Sequence, residues 1–164
     1  MLVLFLSSCA DHQQEERQVD KNQLKQSMEK ANRYIVHDEE QEINDYIARH
    51  GVEMTASGSG LRYAILEHGS GKKVETGRIV SLEYELYSIA GDLIYSSKEE
   101  GIKTFRVGQG GVESGLEEAV LNLHQGDRAK IIIPSHLAYG LHGDEKQIPP
   151  YATLIYYVKL IDIQ

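Results

Sequence analysis

The feature that most constrains this fold is a change in apolar period partway along the chain. Between Lys21 and His50, apolar residues recur at Leu24, Met28, Ala31, Ile35, Ile43, Tyr46 and Ile47, mostly in steps of three or four with one gap of eight. Neither proline nor glycine interrupts them, so the stretch predicts one long amphipathic helix or two shorter ones. Gly51 stands where a C-terminal cap belongs, and Arg49 and His50 suit the negative end of the helix dipole. The narrow apolar stripe fits two readings equally: packing on the neighbouring domain, or a homodimer formed through this N-terminal helix.

Beyond Thr55-Ala56-Ser57-Gly58-Ser59-Gly60, read as a flexible hinge, the period falls to two. Val80, Leu82, Tyr84 and Leu86 alternate with Ser81, Glu83, Glu85 and Tyr87, and Leu154, Tyr156, Val158 and Leu160 repeat the pattern near the C-terminus. Each strand should present one face to a core and the other to water. Further strands are expected at 61–67, 92–96, 104–107 and 129–133, bounded by turn residues. One helix interrupts them: Ser114-Gly115-Leu116-Glu117 fits a capping box, Leu116, Val120 and Leu123 share a face, and Gly126 follows. The expected class is α+β, a curved antiparallel sheet wrapped on one short helix and preceded by an amphipathic helix. The expected organisation is a leader over 1–8, a tether over 9–20, a helical segment over 21–54 and the β-rich domain over 55–164.

Composition narrows the function. A chain of 164 residues has room for one domain and an appendage. Its 25 acidic and 17 basic side chains leave a net charge of -8, the wrong sign for neutralising nucleic-acid phosphates. A single cysteine excludes an internal disulfide, and seven scattered histidines lack metal-ligand spacing, so neither a metal nor a cofactor is expected.

That cysteine follows Met1-Leu2-Val3-Leu4-Phe5-Leu6-Ser7-Ser8, an apolar run far shorter than the roughly 20 residues that span a bilayer. Leu6-Ser7-Ser8-Cys9 resembles the bacterial lipobox, which implies cleavage before Cys9 and a lipid on its sulfur. The leader is short and lacks Lys or Arg before the apolar run, which reads as a truncated start. The polar 10–22 stretch would then be a solvated tether. The lipobox resemblance implies a place in the bacterial envelope, lipid-anchored and facing the periplasm.

From Gly60 to Gln164 the order of motifs resembles the FKBP-type peptidyl-prolyl cis/trans isomerases. The words that carry it are Val107-Gly108 leading to Val112, Gly115-Leu116-Glu117-Glu118, Gly126-Asp127-Arg128-Ala129-Lys130, Pro134-Ser135 to Ala138-Tyr139-Gly140, and Ile148-Pro149-Pro150-Tyr151-Ala152-Thr153-Leu154. The leader, the preceding helix and Leu93-Ile94-Tyr95-Ser96 most resemble the gliding-motility-associated lipoprotein branch. The resemblance implies cofactor-free rotation about Xaa-Pro amides of exported or unfolded polypeptides, in a slot of apolar and aromatic walls. It implies that Tyr84, Phe105, Val112, Leu116, Ile148 and Tyr156 line the slot, with Ala138 beside Tyr139 at its edge. It further implies that the Ile148 N–H and the Tyr139 hydroxyl hold substrate carbonyls.

Four departures qualify this picture. Ile94 and Tyr95 stand where the family usually has phenylalanine and aspartate, so the carboxylate beside the turning carbonyl is absent from that strand. Leu116 replaces a customary tryptophan, Glu113 a customary isoleucine, and Lys103 a frequent aromatic. The last two argue against tight binding of immunosuppressant macrolides. Two functions follow: an envelope isomerase, or a catalytically weak peptide-binding or chaperone module serving an envelope machine such as a gliding apparatus.

Overall fold

The structure is a computed structural model that describes residues 21–164; the leader, Cys9 and the tether lie outside the described residues. The elements are α1 (Lys21–His50), β1 (Thr55–Ala56), β2 (Arg62–Glu67), β3 (Ile79–Ser88), β4 (Leu93–Ser96), α2 (Ser97–Glu100), β5 (Lys103–Arg106), α3 (Ser114–Val120), β6 (Arg128–Ile133), a 3-10 turn (Ser135–Leu137) and β7 (Leu154–Ile163). The sheet is antiparallel, in the order β1-β2-β6-β7-β3-β4, with β5 paired to β3 off that path. The predicted α+β class holds.

The 21–50 stretch is one helix, as its freedom from proline and glycine allows, and it closes where expected. Gly51 adopts φ +63° and donates its N–H to the Ile47 carbonyl at 3.0 Å. The chain divides into two units after Ile35. In the first, Leu24 and Met28 are exposed and Lys25 pairs with Glu29 one turn on.

The second unit, Val36–Gln164, contains the rest of α1 and the whole sheet. On one sheet face, Leu116, Ala119 and Val120 of α3 pack with Leu123 on Val80, Leu82, Ile131, Ile133, Leu154 and Tyr156. Gly115 permits this approach, because a β-carbon there would lie 2.4 Å from the Ile133 side chain. On the other face, Ile43 and Tyr46 of α1 cover Ile132 and Ile155. Period-two alternation therefore sends Ile131 and Ile133 to one core and Ile132 to another. The expectation of one dry and one wet face fails at Ile155 of β7, because α1 supplies a second cover there and over Ile132 of β6. Lys130, on that face, donates to the Tyr46 hydroxyl at 3.0 Å and lies 4.7 Å from its ring centroid.

Three local expectations need correction. The hinge is ordered backbone: Thr55 and Ala56 pair with Tyr63 and Arg62, and the Ser59 hydroxyl donates to the Glu118 carboxylate at 2.8 Å. The capping box does not form. Glu113 is the N-cap residue and makes no side-chain cap bond, Ser114 Oγ donates to the Leu137 carbonyl, and Glu117 accepts from the Gly110 N–H. Tertiary partners outcompeted the local ones. Gly126 does not cap α3, which ends at Val120; its N–H donates to the Leu160 carbonyl.

Candidate functional site: a tyrosine-walled slot

The site is assembled by five elements around the end of α3. β3 brings Tyr84, β4 brings Ile94 and Tyr95, β5 brings Lys103 and Phe105, and β7 brings Tyr156. The loop before α3 adds Val112 and Glu113, α3 adds Leu116, and the 138–148 loop adds Ala138, Tyr139, Asp144 and Ile148. Tyr84, Phe105, Leu116, Ile148 and Tyr156 are buried in one cluster, and Ile94, Tyr95, Val112, Ala138 and Tyr139 pack against it half-buried. Leu116 and Tyr156 are wholly covered and form its floor. The half-buried residues are the edge that an incoming chain would touch.

The floor carries charge. The Tyr156 hydroxyl donates to Glu113 Oε1 at 2.7 Å and accepts from Lys103 Nζ at 3.2 Å, and Lys103 lies 3.7 Å from Glu113 Oε2. Among the described residues that second oxygen finds no hydrogen-bond donor, and the ion pair with Lys103 compensates it. Lys103 also sits 5.0 Å from the Tyr84 centroid and 5.5 Å from that of Tyr156, whose rings are 5.9 Å apart and tilted by 50°. The isoleucine-to-glutamate and aromatic-to-lysine departures are thus one change, a buried ion pair in place of an apolar contact.

A second carboxylate closes the opposite wall. The Tyr95 hydroxyl donates to Asp144 Oδ2, while Asp144 Oδ1 accepts the N–H of Ile148 at 2.7 Å and of Lys146 at 2.9 Å. Burial opposes ionisation of Asp144, but the Tyr95 hydroxyl and the loop N–H groups outweigh it and hold the carboxyl below its usual range. The Ile148 N–H, expected to meet a substrate carbonyl, is therefore committed within the protein. A charge-assisted bond to a carboxylate four residues earlier accounts for it. A carboxylate does stand beside Tyr95, delivered by a different loop.

The tyrosine hydroxyls are held neutral. For Tyr139, burial first and then the charge and hydrogen bonding of Glu113 push the pKa upward. Burial and Glu113 do the same to Tyr156, burial and the charges of Glu100 and Glu113 to Tyr84, and the bond to Asp144 to Tyr95. Such hydroxyls donate hydrogen bonds at neutral pH and transfer no proton.

Ten of the eleven candidate slot residues thus meet in one cluster, and Glu113 joins them through the Tyr156 hydroxyl, whereas Cys9 lies outside the described residues. Sequence reasoning missed Asp144. Its signal was an Asp in a turn-forming Gly-Asp-Glu-Lys run, whose side chain caps backbone N–H groups ahead of it.

A short helix on a curved antiparallel sheet, with an aromatic slot whose hydroxyls are neutral donors, defines a site suited to holding a ligand by shape and hydrogen bonding. The family model of the FKBP-type peptidyl-prolyl cis-trans isomerase matches residues 70–161, and the chain belongs to that family. A probable FKBP-type peptidyl-prolyl cis-trans isomerase FkpA of Neisseria meningitidis serogroup B is 41% identical over 122 residues, covering 74% of this chain and 43% of the relative. This chain therefore spans less than half the length of that relative. An FK506-binding protein of the same organism is 33% identical over 105 residues, covering 63% of this chain and 96% of that protein. The crystal structure of FkpA from Escherichia coli superposes with a TM-score of 0.66 at 26% identity, over 90% of this chain and 74% of the other. That of AtFKBP13 gives 0.66 at 27% identity, over 69% and 100%.

Proposed function

We propose that the protein accelerates cis/trans rotation of Xaa-Pro bonds in exported or unfolded polypeptides, and that Cys9 anchors it by lipid to the bacterial envelope, facing the periplasm. The observation that carries the first part is the convergence of Tyr84, Phe105, Tyr139 and Tyr156 on one cluster whose hydroxyls are neutral. Rotation must overcome a barrier of about 18–20 kcal/mol arising from amide resonance. The twisted amide is less charge-separated than the planar one, so an apolar wall that strips water from it favours the twisted state. Phe105, Val112 and Ile148 supply that wall, and the Tyr139 hydroxyl holds a peptide carbonyl while the bond turns. No group need accept a proton. The uncatalysed step takes tens to hundreds of seconds, slow enough to limit folding of an exported chain.

The anchor is supported by Leu6-Ser7-Ser8-Cys9 and the polar stretch after it. Self-association through the first part of α1 is supported by its exposed Leu24 and Met28.

A second reading has its own observation. The Ile148 N–H is occupied by Asp144, and a buried ion pair sits in the slot floor. Both favour docking over turnover, as in a chaperone module of an envelope machine such as a gliding apparatus. The deciding experiment is the cis-to-trans relaxation rate of an Xaa-Pro peptide by NMR exchange, with the parent beside Tyr139→Phe. Acceleration by the parent that falls in the variant supports the isomerase. Peptide binding without acceleration refutes it in favour of the docking module.

A further inference from the structure

Glu39 lies on α1, outside the family-matched segment, yet it is among the most thoroughly engaged side chains in the second unit. It is 9% exposed, and its carboxylate accepts three hydrogen bonds from groups 96 and 114 residues away. Oε1 takes the Ser135 N–H at 2.6 Å and the Thr153 hydroxyl at 2.7 Å, and Oε2 takes the Ser135 hydroxyl at 3.0 Å. A helix needing only to lie on a sheet has Ile43 and Tyr46 for that purpose. Burying a carboxylate is costly, and this one is spent on a single residue and its neighbour across the fold.

Ser135 is the first residue of the 3-10 turn that leads into Tyr139. Its carbonyl accepts the N–H of both Ala138, at 3.0 Å, and Gly140, at 2.9 Å, the two residues flanking Tyr139. Downstream, the Gly140 carbonyl accepts the Tyr151 N–H, which closes the loop. Ser135 is thus gripped on one side by Glu39 and holds the backbone around Tyr139 on the other.

We infer that Glu39 is a positioning residue for the slot: from α1 it fixes Ser135, and through the Ser135 carbonyl it sets where the Tyr139 hydroxyl meets the peptide. This rests on the reading that Tyr139 contacts substrate. The preceding helix is then a working part of the site, and a chain that lacks α1 but keeps the whole sheet would bind peptide more weakly although its slot residues are intact.

The test uses the full chain with Glu39→Ala, Glu39→Gln and Ile43→Ala, the last loosening the same helix without touching Ser135. Amide hydrogen exchange at Ala138 and Gly140 is read relative to the Val80 and Leu82 amides of β3, which belong to the other core, together with KM and kcat for an Xaa-Pro peptide. In Glu39→Ala, the Gly140 amide should exchange about tenfold faster relative to those of β3, and KM should rise about fivefold with kcat nearly unchanged. Glu39→Gln, which keeps an acceptor oxygen, should recover most of both. Ile43→Ala should lower the Tm while leaving the relative exchange and KM at parental values. Parental Gly140 exchange in Glu39→Ala, or equal acceleration in Ile43→Ala, would overturn the inference. If Glu39→Ala does not fold, Ser135→Ala removes only the hydroxyl bond and must shift Gly140 the same way by a smaller factor; no shift overturns the inference. If the parent does not accelerate rotation, the isomerase reading fails, while the exchange result still decides the role of Glu39.

Discussion

Replacing Asp144 with asparagine should weaken the wall between β4 and the 138–148 loop by an amount the structure allows to be worked out. Asp144 accepts from the Tyr95 hydroxyl, the Ile148 N–H and the Lys146 N–H. Hydrogen bonds to a charged partner contribute ~1.5–3 kcal/mol each when buried, but Asp144 is half-exposed, and solvent screening reduces that to about 0.5–1 kcal/mol apiece. Asparagine keeps one acceptor oxygen for the N–H groups and turns an amide toward Tyr95. The expected loss is therefore ~1–2 kcal/mol in urea unfolding at pH 7. A double-mutant cycle with Tyr95→Phe isolates the hydroxyl–carboxylate pair and should return a coupling of about 1 kcal/mol. The pH dependence has a definite sign. The folded carboxyl titrates below its ordinary value of 3.8, so the stabilisation is fully present above that value and is lost as pH falls through the lower folded pKa. The coupling should accordingly survive at pH 5 and shrink as pH falls below 3.8 and through the lower folded pKa, where protonation removes the charge. A coupling near zero at pH 7, or one that persists undiminished in acid, would refute the assignment of Asp144 as a charged clamp.

Lys103→Met should cost ~2–4 kcal/mol, because it strips the covered Glu113 Oε2 of its ion-pair partner, and Lys103→Met with Glu113→Leu should recover much of the loss; chemical denaturation of the three proteins decides it. Gly115→Ala should destabilise by about 1–3 kcal/mol, since the new methyl meets Ile133 at 2.4 Å and Leu137 at 3.1 Å; an unchanged midpoint would show that α3 can move aside. Leu116→Ala, at a fully covered position, should cost ~2–5 kcal/mol through the cavity it leaves, read from the same unfolding curves. Cys9→Ser should move the protein from the membrane fraction to the soluble one, and unchanged partitioning would count against the anchor.

Much of the fold was legible because its signals are local. Alternation at Val80-Leu82-Tyr84-Leu86 and Leu154-Tyr156-Val158-Leu160 reports strands wherever those strands end up, and the uninterrupted 21–50 stretch followed by Gly51 reports a helix and its stop. The aromatic composition of the slot was legible for a similar reason, since ordered motifs at matching spacing bring the same strand positions to the same face. What could not be read was how polar side chains choose among partners. Ser114 and Glu117 have the spacing of a reciprocal cap, but each found a tertiary partner instead. Ile148 was expected to face substrate, and its N–H found Asp144.

The sequence by itself determined the main strands, the helices α1 and α3, their order, the helix and sheet periods and the apolar chemistry of the slot, but not β1, α2 or the 3-10 turn, because only the longer elements carry a period that neighbours a few residues apart can report. Only the tertiary structure decided that α1 covers the second face of β6 and β7, that Glu39 grips Ser135 across 96 residues, and that Tyr95 and Asp144 meet across 49. A buried donor or acceptor must be satisfied, but by which of many distant partners depends on register and packing, and a few tenths of an ångström settle that competition.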